Sequence, residues 1–447
     1  MRPNIIFVFS DQHRLCDVGY AGNKQVKTPF LDMMSQESCE FTYAISGMPV
    51  CCPYRATLMT GMYPLSHGVF LNDLCMDTGG PYLGELFRDN GYSTAYIGKW
   101  HIDGHGRSGY IPEERHRGFD FWKVLECTHD YNNSPYYSGN SPEKLYWEGY
   151  DAFAQTDCAV DYINSYDKEQ PFFMILSYGP PHNPYETAPR QFADMYPPES
   201  ITLRENVPEN LREAAQKDIS GYYAHISALD SAVQKLNQAV IDKGIEQDTI
   251  FIYTSDHGDM LYSQGHIRKQ KPWDESIRVP FLMKYPRLFG KKHSVNDRLF
   301  NSVDIMPTLL GLCGIDIPDT VQGKNFAPYL SGKDADFDVD AVILECISPF
   351  GEYDRAAGGR EYRGLRTKRY TYARDLNGPW LLYDNEKDPY QQKNLIDAAE
   401  YKETAEKLDK RLTELLEERG DKFLPGSEYI RKFGYTVDET GTVPYTN

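Results

Sequence analysis

Four continuous apolar runs, NIIFVFS (4–10), YSTAYIG (92–98), PFFMILSY (171–178) and DTIFIYTS (248–255), restrict what this chain can fold into. A strand with one wet face alternates apolar and polar residues, whereas continuous runs belong to parallel strands covered on both faces. Helical patterns lie between the runs. Thr28-Pro29 caps one, residues 151–166 carry another, and the clearest sets Ile219, Tyr222, Ile226, Leu229, Val233, Leu236 and Val240 at steps of three and four. This order predicts an α/β fold: a large doubly wound mixed or parallel sheet flanked by helices. At 447 residues the chain exceeds one ordinary core. The sheet domain is expected over 1–336. A smaller C-terminal α+β domain is expected over 337–447, with an antiparallel sheet and the charged amphipathic helix 401–418.

The residues just past each run carry the chemistry. The first run ends in Asp11-Gln12, the second in Lys99-Trp100-His101, the third leads to His182, and the fourth ends in Asp256-His257. Ligands of open α/β sheets bind outside the carboxyl ends of the strands. A single Asp or His there is more often a loop cap; four such ends together reverse that balance. Asp11, Gln12, Asp256 and His257 offer carboxylate, amide and imidazole ligands, a set that leaves calcium, magnesium and manganese all compatible. Lys99, His101, His182, Arg55 and Lys269 would surround that metal with donors for an oxyanion. A metal with cationic donors around a nucleophile describes hydrolysis of an anionic ester.

The nucleophile is sought in PVCCPYRATLMTG (49–61), which reads as a loop entering a helix. Pro53 suits the first turn and Gly61 can end the helix. Cys51 and Cys52 then sit at the positive end of a helix dipole, with Arg55 one turn in, where a thiol ionises readily. For an arbitrary Cys-Cys pair, two small buried hydrophobes would be the ordinary outcome.

The net charge of −18 argues against nucleic acid and against a basic membrane-binding face, and no apolar run approaches a bilayer span. Nine cysteines without a recurring CxxC pair read as mostly free thiols. The expected location is the cytoplasm if Met1 is the native start, or the periplasm or exterior if a leader was trimmed. Cys16, Cys39, Cys75, Cys127, Cys158, Cys313 and Cys346 are expected as buried thiols, and His67 and His105 as packing as readily as catalysis.

CCPYRATLMTG resembles the C-x-P-x-R signature of the type I sulfatases, formylglycine-dependent members of the alkaline-phosphatase-like superfamily. NIIFVFSDQHR, TPFLDMM, YIGKWH, HRGFDFW, PPHNPY, SDHGD, DESIRVPF and VDIMPTLLGLCGI stand in that family's order, so the likeness covers nearly the whole chain. The resemblance implies that Cys51 is oxidised to formylglycine by a formylglycine-generating enzyme and that Cys52 is the variable position. It further implies a metal-bound hydrated aldehyde, one hydroxyl attacking sulfur and the second expelling sulfate. By the same resemblance Arg55 would orient the diol and His101 would assist its deprotonation. Lys99, His182 and Lys269 would hold sulfate oxygens, with His182 or Lys269 protonating the leaving oxygen. The metal set is Asp11, Gln12, Cys51, Asp256 and His257, with calcium favoured and manganese or magnesium open.

Three departures qualify the likeness. Asp11-Gln12 stands where the family often has two aspartates, Asp256-His257 where it often has Asp-Asn, and Met62 where an arginine often comes after Thr-Gly. The Asp-Gln with Asp-His combination also resembles phosphonate monoester hydrolases, so phosphonate monoesters or phosphodiesters are the second substrate class. A catalytically silent metal-dependent binding protein is the third alternative, and would require an unmodified Cys51. The expected substrate is a small sulfated sugar. The basic island 354–370, five arginines and one lysine against two acids, supplies Arg355, Arg360 and Arg363 as candidates for a second anionic group of that sugar. Oligomeric state is left undetermined.

Overall fold

The computed structural model describes residues 2–446. The apolar runs form strands β1 (Asn4–Asp11), β3 (Ser93–Lys99), β5 (Phe172–Pro181) and β6 (Thr249–Ser255). They are joined by β2 (Cys39–Phe41), β4 (Phe121–Leu125), β7 (Phe281–Lys284) and β8 (Ser294–Asn296). The large sheet runs β8-β2-β7-β6-β1-β5-β3-β4, and the short strands Pro135–Ser138 and Leu145–Tyr146 extend it to 10 strands. From β6 to β4 the pairing is parallel, whereas β7 is antiparallel to both β6 and β2. The sheet is therefore mixed, with a parallel centre.

The continuous runs have the expected cause. Ile5, Phe7 and Phe9 of β1 enter one core with Tyr54 and Leu58, while Ile6 and Val8 enter a second core with Leu229, Val233 and Leu236. Both faces are dry, so neither parity of residue can be polar. Helices α1 (Pro29–Ser35), α3 (Asp151–Ser165) and α4 (Arg212–Asp242) cover the second face, and α2 (Cys51–Thr60) covers the first. Gly61 ends α2 at φ 63°, its N–H returning to the Thr57 carbonyl. That left-handed position favours a residue without Cβ.

One local expectation fails. The Thr28 side chain does not cap α1: its hydroxyl donates to Asp32 and accepts from the Gly19 N–H. Asp230 of α4 caps α1 instead, accepting the N–H groups of Phe30 at 3.0 Å and Leu31 at 2.8 Å. A carboxylate delivered by tertiary packing outcompetes the local hydroxyl because it satisfies two orphan donors at once.

A second, antiparallel sheet comprises β9 (Val342–Cys346), β10 (Tyr362–Arg366), β11 (Tyr370–Asp375) and β12 (Gly378–Asp384). Helix α5 (Lys402–Glu418) packs Leu412 and Leu416 on its Ile343, Leu365 and Tyr372 side. The opposite side, with Leu344, Ala373 and Leu381, joins the same core as β1. No helix among the described residues is long and apolar enough to cross a membrane.

Candidate active site

The carboxyl ends of β1, β3, β5 and β6 and the N-terminus of α2 converge on one point. Ligand atoms of Asp11, Cys51, Asp256 and His257 all lie within 4.8 Å of one another, and all four residues are buried. Sγ of Cys51 is 3.2 Å from His257 Nε2, 3.5 Å from Asp11 Oδ1 and 2.9 Å from Lys269 Nζ. Cys52 turns the other way: its sulfur accepts the Asp73 N–H at 3.2 Å and belongs to the hydrophobic core. Thus the two thiols divide between site and core.

The donors are aimed. His257 donates Nδ1–H to the Gly258 carbonyl at 2.8 Å, which leaves the Nε2 lone pair facing the cluster. Gly258 permits this close turn, since a Cβ there would lie 2.0 Å from the Glu275 carbonyl oxygen. Asp256 accepts the N–H groups of Gln12 and His257 on Oδ1, while its Oδ2 is buried without a hydrogen-bond partner among the described residues. Gln12 Oε1 is likewise buried and unpartnered. An orphaned carboxylate oxygen, an orphaned amide oxygen and a free imidazole nitrogen beside Asp11 fit a divalent cation. Burial and the charge of Asp11 push the Asp256 carboxyl above the usual carboxylate range. For Asp11, burial acts upward, but the charges of Lys99 and Lys269 hold it well below the usual carboxylate range. Two enclosed carboxylates this close repel unless a cation lies between them.

The cations group on either side. Lys99 Nζ donates to Asp11 Oδ2 at 2.7 Å. Arg55 donates to Asp11 at 3.3 Å, to the Lys99 carbonyl at 2.8 Å and to Ser177 at 2.8 Å. Its hydrogen bonds thus hold a metal-site carboxylate and two strand ends, none of them reaching Cys51. His101, at φ 59°, sets Nε2 3.3 Å from Asp73 and keeps Nδ1 buried and unpartnered. His182 donates Nδ1–H to the Asn183 carbonyl at 2.9 Å and stacks on His129, ring centroids 4.7 Å apart. Burial and the neighbouring Lys269 push the His182 imidazole well below its usual range.

Cys51, Lys99, His101, His182 and Lys269 line a cavity of about 510 Å³. Its wall adds residues that the sequence did not single out: Asp73, Arg107, His129 and Arg268, with Phe350 and Tyr445 from the C-terminal part. Arg107 grips Asp73 through two 2.8 Å hydrogen bonds. His129 comes after β4, a strand short enough to escape the apolar-run criterion, and Tyr445 carries no local signal.

The basic island is a correction. Arg355, Arg360 and Arg363 are absent from the cavity wall. Arg363 is fully buried against Asp421 at 2.6 Å, Arg360 pairs with Asp375 at 2.9 Å over the Trp380 ring, and Arg355 pairs with Glu361. Arg366, Lys368 and Arg369 pair with Asp274, Asp297 and Asp384. An arginine cluster in an acidic protein finds carboxylates from distant segments, which a local charge count omits. His67 is also structural, bonded to Thr57 and the Val69 N–H, and none of the nine cysteines is joined in a disulfide.

A model of the sulfatase family matches residues 3–315, the span that carries Asp11, Gln12, Cys51, Arg55, Lys99, His101, His182, Asp256, His257 and Lys269. The chain belongs to the sulfatase family. A second model, the C-terminal part of N-sulphoglucosamine sulphohydrolase, matches residues 263–418. This sulfatase is 42% identical over 451 residues to an ulvan-active sulfatase of Formosa agariphila, covering 99% of this chain and 87% of that protein. An endo-4-O-sulfatase of Bacteroides thetaiotaomicron is 32% identical over 480 residues, with 94% and 92% covered. A solved structure from glycosaminoglycan metabolism of Bacteroides thetaiotaomicron superposes with a TM-score of 0.86 at 29% identity, covering 97% of this chain and 99% of that one. The phosphonate monoester hydrolase of Agrobacterium radiobacter shares the fold, with a TM-score of 0.78 at 22% identity and 100% of both chains covered. The sulfatase is an enzyme of sulfate-ester hydrolysis, and its family implies a metal and a formylglycine.

Proposed function

We propose that this sulfatase removes sulfate from a small sulfated sugar, with Cys51 as the residue converted to formylglycine and calcium as the metal. One observation carries the proposal: Cys51 Sγ lies among Asp11, His257 and Lys269 on the wall of the cavity. The names of the relatives, an ulvan-active sulfatase and an endo-4-O-sulfatase, support a sugar as the alcohol.

Asp11, Gln12, Asp256 and His257 would hold the metal, which supplies Lewis acidity for a sulfate oxygen and neutralises developing charge. A hydrated formylglycine at position 51 supplies a nucleophilic hydroxyl and a second hydroxyl as exit route. The remaining work falls to the chain. Lys99 and Arg55 keep Asp11 ionised and fixed. His101, whose Nε2–H faces Asp73, offers Nδ1 as the proton acceptor. Lys269 sets its ammonium 2.9 Å from Sγ of Cys51, at the point where the ester would be attacked. It is therefore the donor we assign to the leaving oxygen. His182 presents a bare Nε2 and would hold a sulfate oxygen after taking a proton, which an arriving anion favours.

The test joins a substrate panel to mass spectrometry. Sulfated mono- and disaccharides should turn over in preference to a phosphonate monoester, the peptide bearing Cys51 should show the thiol-to-aldehyde mass loss, and Cys51→Ala should abolish turnover while Cys52→Ser retains much of it. Preference for the phosphonate would move the substrate class. Equal loss in both cysteine variants would remove Cys51 from its role.

A further inference from the structure

The neutral amide of Gln12 occupies a place where this family often has a second aspartate, and an amide can present either end to a cation. The group standing behind it decides. Asp259, three residues beyond Asp256 and fully buried, accepts the Gln12 Nε2–H on Oδ2 at 2.7 Å. The same oxygen accepts the Tyr185 hydroxyl at 2.5 Å, and Tyr185 in turn accepts Arg268 Nη1–H at 2.6 Å. The other oxygen, Oδ1, accepts two backbone N–H groups, Leu261 at 2.9 Å and Arg268 at 2.8 Å. Four donors converge on one carboxylate, so both of its oxygens act as acceptors.

We propose that Asp259 is a positioning residue that turns the Gln12 amide oxygen toward the metal site and lends it the negative charge a second carboxylate would bring directly. An acceptor-only partner at Nε2 leaves Oε1 facing away from Asp259, where it is buried and without a partner among the described residues. An N–H group donated to an anion polarises the amide and makes its oxygen the better ligand. The same carboxylate pins the backbone of Arg268, next to Lys269, so one group sets both a metal ligand and the loop carrying the ammonium at Cys51 Sγ. The proposal rests on the metal reading above, although its test reads metal affinity and not turnover.

Asp259→Asn distinguishes this role from ordinary packing. The Leu261 and Arg268 N–H groups cannot turn over, so the new side chain must keep its oxygen toward them and aim its NH₂ at Gln12. Gln12 must then flip and present Nε2 to the cation. Titrating the metal-stripped full chain with Ca²⁺ alone, and separately with Mn²⁺, should show affinity falling ~10-fold or more. Adding Gln12→Glu to this variant should recover affinity to within about threefold of the parent, because a carboxylate accepts from Asn at 259 and keeps an oxygen for the metal. Unchanged affinity in Asp259→Asn, or a double variant no better than the single, overturns the proposal. If the single variant does not fold, a folded double variant that binds Ca²⁺ supports it, and a double variant that also fails to fold overturns it. A parent that binds Ca²⁺ without hydrolysing sulfate esters would instead overturn the functional reading alone.

Discussion

Asp151 begins α3 yet is wholly enclosed, and its Oδ1 has no hydrogen-bond partner among the described residues. Burial pushes its carboxyl from the ordinary 3.8 up to about 8, against smaller downward effects from Ser134 and the Ala152 N–H. The folded protein therefore keeps a proton that the unfolded chain has released across that interval. Stability contributed at the low end is lost as pH rises through about 8. Asp151→Asn, neutral throughout, should raise Tm by ~2 °C or more at pH 8 and change it little at pH 4, read by thermal melts at both values. An equal shift at both would make the effect one of packing. At this scale Asp11, Gln12, Asp256 and His257 were legible because each directly ends an apolar run. Asp259 was not, since its role depends on which way a distant amide faces.

Elements divide similarly. The start and stop of α2 derive from Pro53 and Gly61, and α4 derives from its apolar spacing. The cap of α1 does not, because Asp230 arrives from 200 residues away along the chain. Asp230→Ala should leave the N–H groups of Phe30 and Leu31 unpaired inside the protein and cost ~1–2 kcal/mol in a urea melt, with turnover of the folded fraction unchanged. Asp230→Asn, which retains one acceptor, should cost less. A null effect of the alanine would return the capping role to Thr28.

Across the whole molecule, the C-terminal residues close the cavity. Tyr445 lies on the Arg107 guanidinium, 3.5 Å from its centre, and the Thr446 carbonyl accepts the Arg107 N–H at 2.8 Å. Tyr445 is 42% exposed, leaving ring surface available to a sugar. Tyr445→Ala should raise KM for a sulfated oligosaccharide about fivefold and leave kcat/KM for a small aryl sulfate within about twofold, since stacking on an aromatic ring contributes roughly 1 kcal/mol and the aryl ester does not extend to the wall. Equal loss on both substrates would assign Tyr445 to holding Arg107 and Asp73.

The sequence by itself determined the sheet, its parallel centre and the edge at which chemistry gathers, because two-sided burial writes itself as continuous apolar runs and strand ends lie where those runs stop. The thiol of interest was also legible, through the resemblance its spacing carries. Only the tertiary structure decided which side chains reach the cavity. Arg363 and Arg366 are spent on Asp421 and Asp274, whereas Arg107, Arg268 and Tyr445 reach the cavity from loops and a terminus without local pattern. Periodicity reports the side on which a residue is buried, but a charged side chain's role is set by its partner, and partners are chosen by long-range packing.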